Sequence, residues 1–152
     1  MLSVVRWRKS ALLANCAALV VIATPAGAQD ATWAGPGTDW NNGAYWTGNG
    51  GSVPTGTAIF TGATPTIIGL TADTSIGTIQ FDAGAPAHIL TVPGPSATPR
   101  VLNLTGQGIV NNSSFAPQFI VDGAIHFRNG STAANARFGI HSGIGFWDSS
   151  SA

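Results

Sequence analysis

The chain of 152 residues contains no glutamate, one lysine (Lys9), one methionine (Met1) and one cysteine (Cys16). Beyond residue 28 there is no lysine and no cysteine at all. That stretch can form no disulfide and no thiolate metal site, so its stability must come from packing and backbone hydrogen bonds. Glu, Lys and Met are good helix formers, and their absence argues against long helices. Charge is equally scarce: Arg100, Arg128 and Arg137 stand against Asp30, Asp39, Asp73, Asp82, Asp122 and Asp148, which is 3 minus 6, or −3. Without a basic cluster, nucleic acid is excluded as a partner. What is abundant is glycine (20), proline (9) and runs of Thr, Ser and Asn. That composition suits many short strands joined by tight turns, so the expected class is all-β.

The first 28 residues read differently. Arg6, Arg8 and Lys9 precede a thirteen-residue, mostly apolar run, Ala11 to Ala23, and a polar stretch ends in Ala26-Gly27-Ala28. This is the pattern of a secretory signal peptide cleaved after Ala28. Thirteen helical residues reach about 20 Å, short of a bilayer core of about 30 Å, which disfavours an anchor. Cys16 lies inside the apolar run behind Asn15, so lipidation is not expected. The chain therefore divides into a signal peptide (1–28), a Trp/Gly-rich cap (29–56) and a repeat region (57–152).

In the cap, Trp33, Trp40, Tyr45 and Trp46 are spaced among glycines and the turn dipeptides Asn42-Gly43 and Asn49-Gly50. They either plug the end of a repetitive fold or form a stacking platform for sugars. From Thr57 onward the chain predicts short strands at 57–61, 66–70, 78–81, 88–92, 101–104, 108–110, 118–121, 124–127, 137–140 and 144–147. Two segments repeat at an offset of nineteen: Ala124 to Ala133 (AIHFRNGSTA) and Gly143 to Ala152 (GIGFWDSSSA). Ile125 matches Ile144, Phe127 matches Phe146, Asn129 matches Asp148, Ser131 matches Ser150 and Ala133 matches Ala152. Gly77 to Ala87 reads as an earlier copy, with Ile79 and Phe81 in the two apolar places. In a strand, I-x-F puts both large side chains on one face. One such unit cannot bury that face alone, but a stack of units can. The repeat predicts a right-handed parallel β-helix with about twenty residues per coil. A β-sandwich of hairpins is the alternative.

These residues resemble a known family. Ile76 to Val92 (IGTIQFDAGAPAHILTV), Leu102 to Ser113 (LNLTGQGIVNNS) and Phe127 to Ala136 (FRNGSTAANA) are similar to the β-strand repeats of bacterial autotransporter passengers. The opening Trp33, Trp40, Asn41 and Trp46, then Val53-Pro54 and Ala58-Ile59-Phe60, is similar to how such passengers begin. The resemblance implies a Gram-negative surface or secreted protein whose passenger is a stalk, translocated by a C-terminal outer-membrane barrel, with a host surface or glycan as its target. No barrel is found in these 152 residues, which look like the N-terminal piece of a longer protein. An unfinished solenoid would end in an open apolar core, so the isolated chain is expected to aggregate or to be only marginally stable.

No catalytic signature accompanies the repeats. His88, His126 and His141 have no zinc-binding spacing, and His88 and His126 are expected on strands with their rings facing solvent. No G-x-S-x-G surrounds a serine. Asp82 and Asp148 follow their I-x-F strands and read as turn residues, while Asn111, Asn112 and Asn129 suit either side-chain ladders between rungs or exposed turns. No enzyme activity, cofactor or metal is expected. The function expected is structural or adhesive. The competing readings are a secreted carbohydrate-binding β-module built on the Trp cluster, and a β-helical polysaccharide-degrading enzyme with facing carboxylates.

Overall fold

The computed structural model describes residues 27–62, 66–94 and 98–152. Apart from Gly27 and Ala28, the expected signal peptide lies outside them. The described chain is all-β. Its strands are β1 (Ala31–Trp33), β2 (Trp46–Thr47), β3 (Thr57–Phe60), β4 (Ile67–Gly69), β5 (Thr74–Phe81), β6 (Ile89–Val92), β7 (Val101–Asn111), β8 (Gln118–Val121), β9 (Ala124–Phe127), β10 (Arg137–Ile140) and β11 (Gly143–Phe146), with one 3₁₀ turn at Gly43–Tyr45. Among the described residues no helix is long and apolar enough to cross a membrane.

The strands form a seven-stranded sheet, ordered β11-β9-β7-β5-β3-β1-β2, and a four-stranded sheet, ordered β10-β8-β6-β4. Every pairing is parallel except β1 with β2. From β3 onward successive strands alternate between the two sheets. The larger sheet itself holds two ladders, because the register of β5 on β7 shifts between Ile76 and Thr78. A first ladder runs through β1, β3, Thr78–Phe81 and Gly108–Asn111, continued by single bridges at Thr132 and Ser151. The four-stranded sheet is the second ladder. The third joins Thr74–Ile76, Val101–Leu104, β9 and β11. The chain visits the three in turn.

Alternation explains the core. On each strand the apolar residues at every second position point to one interior. Ala58, Phe60, Ile79, Phe81 and Ile109 come from the first ladder, Ile68, Leu90, Val92, Phe119 and Val121 from the second, and Ile76, Leu102, Leu104, Ile125 and Phe127 from the third. All are buried. Side chains of equivalent rungs stack: the Phe60 and Phe81 rings lie 5.1 Å apart at 18°, and Phe127 and Phe146 lie 4.7 Å apart at 13°.

The nineteen-residue match is register in space: Ile144 pairs with Ile125 and Phe146 with Phe127. Asn129 and its counterpart Asp148 both take positive φ, at 56° and 52°. Two expectations need correction. Nineteen is the last interval only; earlier equivalent positions on the first ladder lie 21, 30 and 24 residues apart (57 to 78, 78 to 108, 108 to 132). The excess sits in connections such as 82–88 and 112–117, whose length the interior does not constrain. Nor is the segment at Ile79 and Phe81 a copy of the later two. It belongs to the first ladder, whereas Ile125 and Phe127 belong to the third. Every wall demands the same apolar alternation, so I-x-F alone does not identify a wall.

Glycine marks the corner between the third and first ladders. A Cβ on Gly77 would stand 2.7 Å from the Gly56 carbonyl oxygen, and one on Gly106 would stand 2.7 Å from that of Gly77. The backbones approach too closely there for any side chain.

Candidate functional site

The four aromatics of the cap define the first candidate. Trp33, Trp40 and Trp46 are 1 %, 0 % and 1 % exposed, and only Tyr45 reaches solvent in part. The indoles meet edge to face: Trp33 and Trp46 lie 5.0 Å apart, Trp40 and Trp46 4.9 Å. Phe60 closes the cluster and passes the stack to Phe81. The Trp46 indole donates to the Trp40 carbonyl at 2.8 Å. Asn41, beside Trp40, ties the cap to the first coil: it donates to Thr74 Oγ1 at 3.0 Å and accepts from the Thr71 and Ala72 amides, each at 2.9 Å. Asp39 adds a bond from the Thr71 hydroxyl at 2.7 Å. The arrangement covers one end of the core. In it the three indoles offer no face on which a sugar could stack.

The histidines occupy three different environments. His88 is 1 % exposed, against the expectation that it faces solvent. Its ring lies against both Phe60 (5.0 Å) and Phe81 (5.5 Å), Nδ1 is 2.9 Å from the Pro86 carbonyl, and Nε2 has no partner. The Phe60 and Phe81 rings stack directly on each other, and the imidazole packs tilted against the side of that stack, at 56° to one ring and 46° to the other, in a place an apolar residue would fill. Burial lowers its pKa below the ordinary imidazole value, and the bond to Pro86 opposes this in part. His126 does lie on the outer face, beside Asn103 Oδ1 (3.2 Å) and the Trp147 ring (4.6 Å). Its pKa is lowered too, by partial desolvation and by Arg128. His141 pairs with Asp122 at 2.6 Å, with both side chains largely exposed. Among the described residues no three His, Cys, Asp or Glu side chains gather as a metal site.

The turn asparagines act between rungs. Asn111 donates to Asn135 Oδ1 at 2.9 Å, an amide pair spanning adjacent coils, and Asn129 donates to the Thr105 carbonyl at 3.1 Å.

One cleft, of about 400 Å³, opens on the outside of the four-stranded sheet. Three successive coils line it: Ala87, His88 and Ile89 from the first, Ser114, Phe115, Ala116 and Gln118 from the second, Arg137 from the third. Gln118 pairs with Ile89 on one side and Arg137 on the other, so the three side chains form an outward row. Phe115 is 53 % exposed, but its backbone is held at both polar atoms. Its amide donates to Ser113 Oγ (3.1 Å), and its carbonyl accepts from Ser113 Oγ (2.8 Å) and Asn111 Nδ2 (2.9 Å). Sequence reasoning missed this cleft. Its residues come from three separate turns, and only the ladder register brings them together.

Comparison with protein-family models, with curated proteins and with solved structures returns no match.

Proposed function

We propose that the chain is a segment of a right-handed parallel β-helix serving as the structural or adhesive stalk of an autotransporter-like surface protein, without catalytic activity. One observation carries the reading: three parallel ladders visited in rotation, sealed at the cap by buried indoles and continued toward the far end by in-register repeats. A stack of this kind grows in length without redesign, because each coil needs only its neighbours. That property suits a spacer that holds loops away from a cell surface. The exported signal and the passenger-like motifs supply the location, with an outer-membrane barrel elsewhere in the full protein as translocation partner. Sequencing the DNA downstream of the codon for Ala152 tests the proposal. Further repeats and a terminal barrel in frame are the expected result; an authentic stop followed by unrelated sequence would favour a small secreted module.

A further inference from the structure

We infer that the cleft outside the four-stranded sheet binds an acidic sugar, with Arg137 taking the carboxylate and Phe115 the apolar face of the ring. The inference deepens the adhesive reading by naming a site, yet it stands or falls separately, since a stalk can have an unused cleft.

The argument begins with charge. All six carboxylate side chains of the protein lie in the described residues, and none is within ion-pair distance of Arg137; the one ion pair there is His141 with Asp122. Arg137 is thus a guanidinium at a cleft wall with its planar donor fork uncommitted to any carboxylate, and that fork matches a carboxylate in two-point geometry. Phe115 supplies the second element. An exposed phenyl ring on an ordinary loop loses its orientation to thermal motion. Here three side-chain hydrogen bonds hold the backbone behind the ring, which reduces the ordering a ligand must impose on it. Phe115 is outside the buried core, and its exposed ring lines the same cleft as the cation.

Gln118 and Ser114 add an amide and a hydroxyl on the same wall. Amide, hydroxyl and guanidinium around an aromatic plane suit a ring with hydroxyls on its rim, a C–H face and one carboxylate. The volume lies within the range of small-molecule sites of roughly 300–1,000 Å³. A peptide carboxylate shares the charge but fits the floor less well. Peptides dock on sheets by adding a strand, and at the cleft the backbones of β6 and β8 are paired on both sides, leaving only the far edge of β10 open. The floor offers side chains, not main chain.

Isothermal titration of the full chain against trimers of galacturonate, glucuronate and sialic acid, with their methyl esters as neutral partners, tests the inference. Binding of at least one acid trimer is expected, weakened about tenfold or more by its methyl ester and by Arg137→Gln, and weakened by rising salt. Phe115→Ser should abolish it, while Arg100→Gln, outside the cleft, should leave it unchanged. Circular dichroism of each variant separates lost binding from lost fold. Failure to bind any acid trimer, equal binding of acid and ester, or indifference to Arg137→Gln would overturn the inference. So would preferential binding of a short apolar peptide through its free C-terminus.

Discussion

At the scale of single residues, the interior is specified by polar exceptions as much as by apolar pattern. His88 is one. Its pKa is lowered in the folded chain and ordinary, at 6.5, when unfolded, so the unfolded state binds more protons in acid. Its contribution is therefore intact above 6.5 and is lost progressively as pH falls below that value toward the lowered folded pKa. His88→Phe should remove that acid loss, with the phenyl ring packing against the side of the Phe60–Phe81 stack. Urea midpoints at about pH 7.5 and about pH 5 measure it: the wild-type midpoint should drop across the interval by more than the variant's. Gly108 is another exception. It has φ of 85°, and a Cβ there would stand 2.3 Å from the Thr132 carbonyl oxygen. Gly108→Ala combines left-handed strain with a backbone clash and should cost roughly 2–4 kcal/mol in denaturant unfolding. Gly84→Ala, where nothing lies within 4 Å, should stay within about 0.5 kcal/mol.

At the scale of elements, the sequence was legible where alternation was strong. The strands anticipated at 118–121, 124–127 and 137–140 occur with those bounds; in the first two, Phe119 and Val121, then Ile125 and Phe127, stand two residues apart and turn inward together. The stretch at 74–76 gave no such signal: Thr74, Ser75 and Ile76 hold one large apolar side chain among them, and Thr74 is buried as a polar residue. Likewise 101–104 and 108–110 were read apart, whereas β7 runs unbroken from Val101 to Asn111. Thr105 to Gln107 carry no apolar side chain to mark the corner. The cap was legible as aromatic content but not as geometry, since burial of indoles depends on what closes over them. Asn41 does much of that closing. Asn41→Ala breaks three hydrogen bonds between the cap and the 71–74 segment and should cost about 1–3 kcal/mol. Tryptophan emission should shift to the red well before the bulk of the strand signal melts. Unchanged emission through the transition would contradict Asn41 as the cap's tie.

At the scale of the molecule, the two ends differ. Among the described residues β10 pairs only with β8, and β11 only with β9. Near that end Ile140, Phe146 and Trp147 are 52 %, 38 % and 41 % exposed. Open strand edges beside apolar side chains recruit further strands. The isolated chain should therefore associate as its concentration rises, as judged by light scattering, and Phe146→Lys together with Ile140→Lys should suppress this without altering the strand signal. A strictly monomeric wild type at high concentration would contradict it.

The ladders also set how the molecule would answer to force. Their bonds run between neighbouring coils and hardly at all between distant ones, so tension between the ends meets coils in series. In the isolated 152-residue chain the β10 and β11 coil, paired on one side only among the described residues, should yield first, and the indole cluster last. Each event would free about 19 to 30 residues, the intervals of the first ladder from β3 onward, or roughly 65–100 Å of extended chain. Pulled apart, the isolated chain would lengthen by steps of unequal size, in an order fixed by which end holds the buried indole cluster.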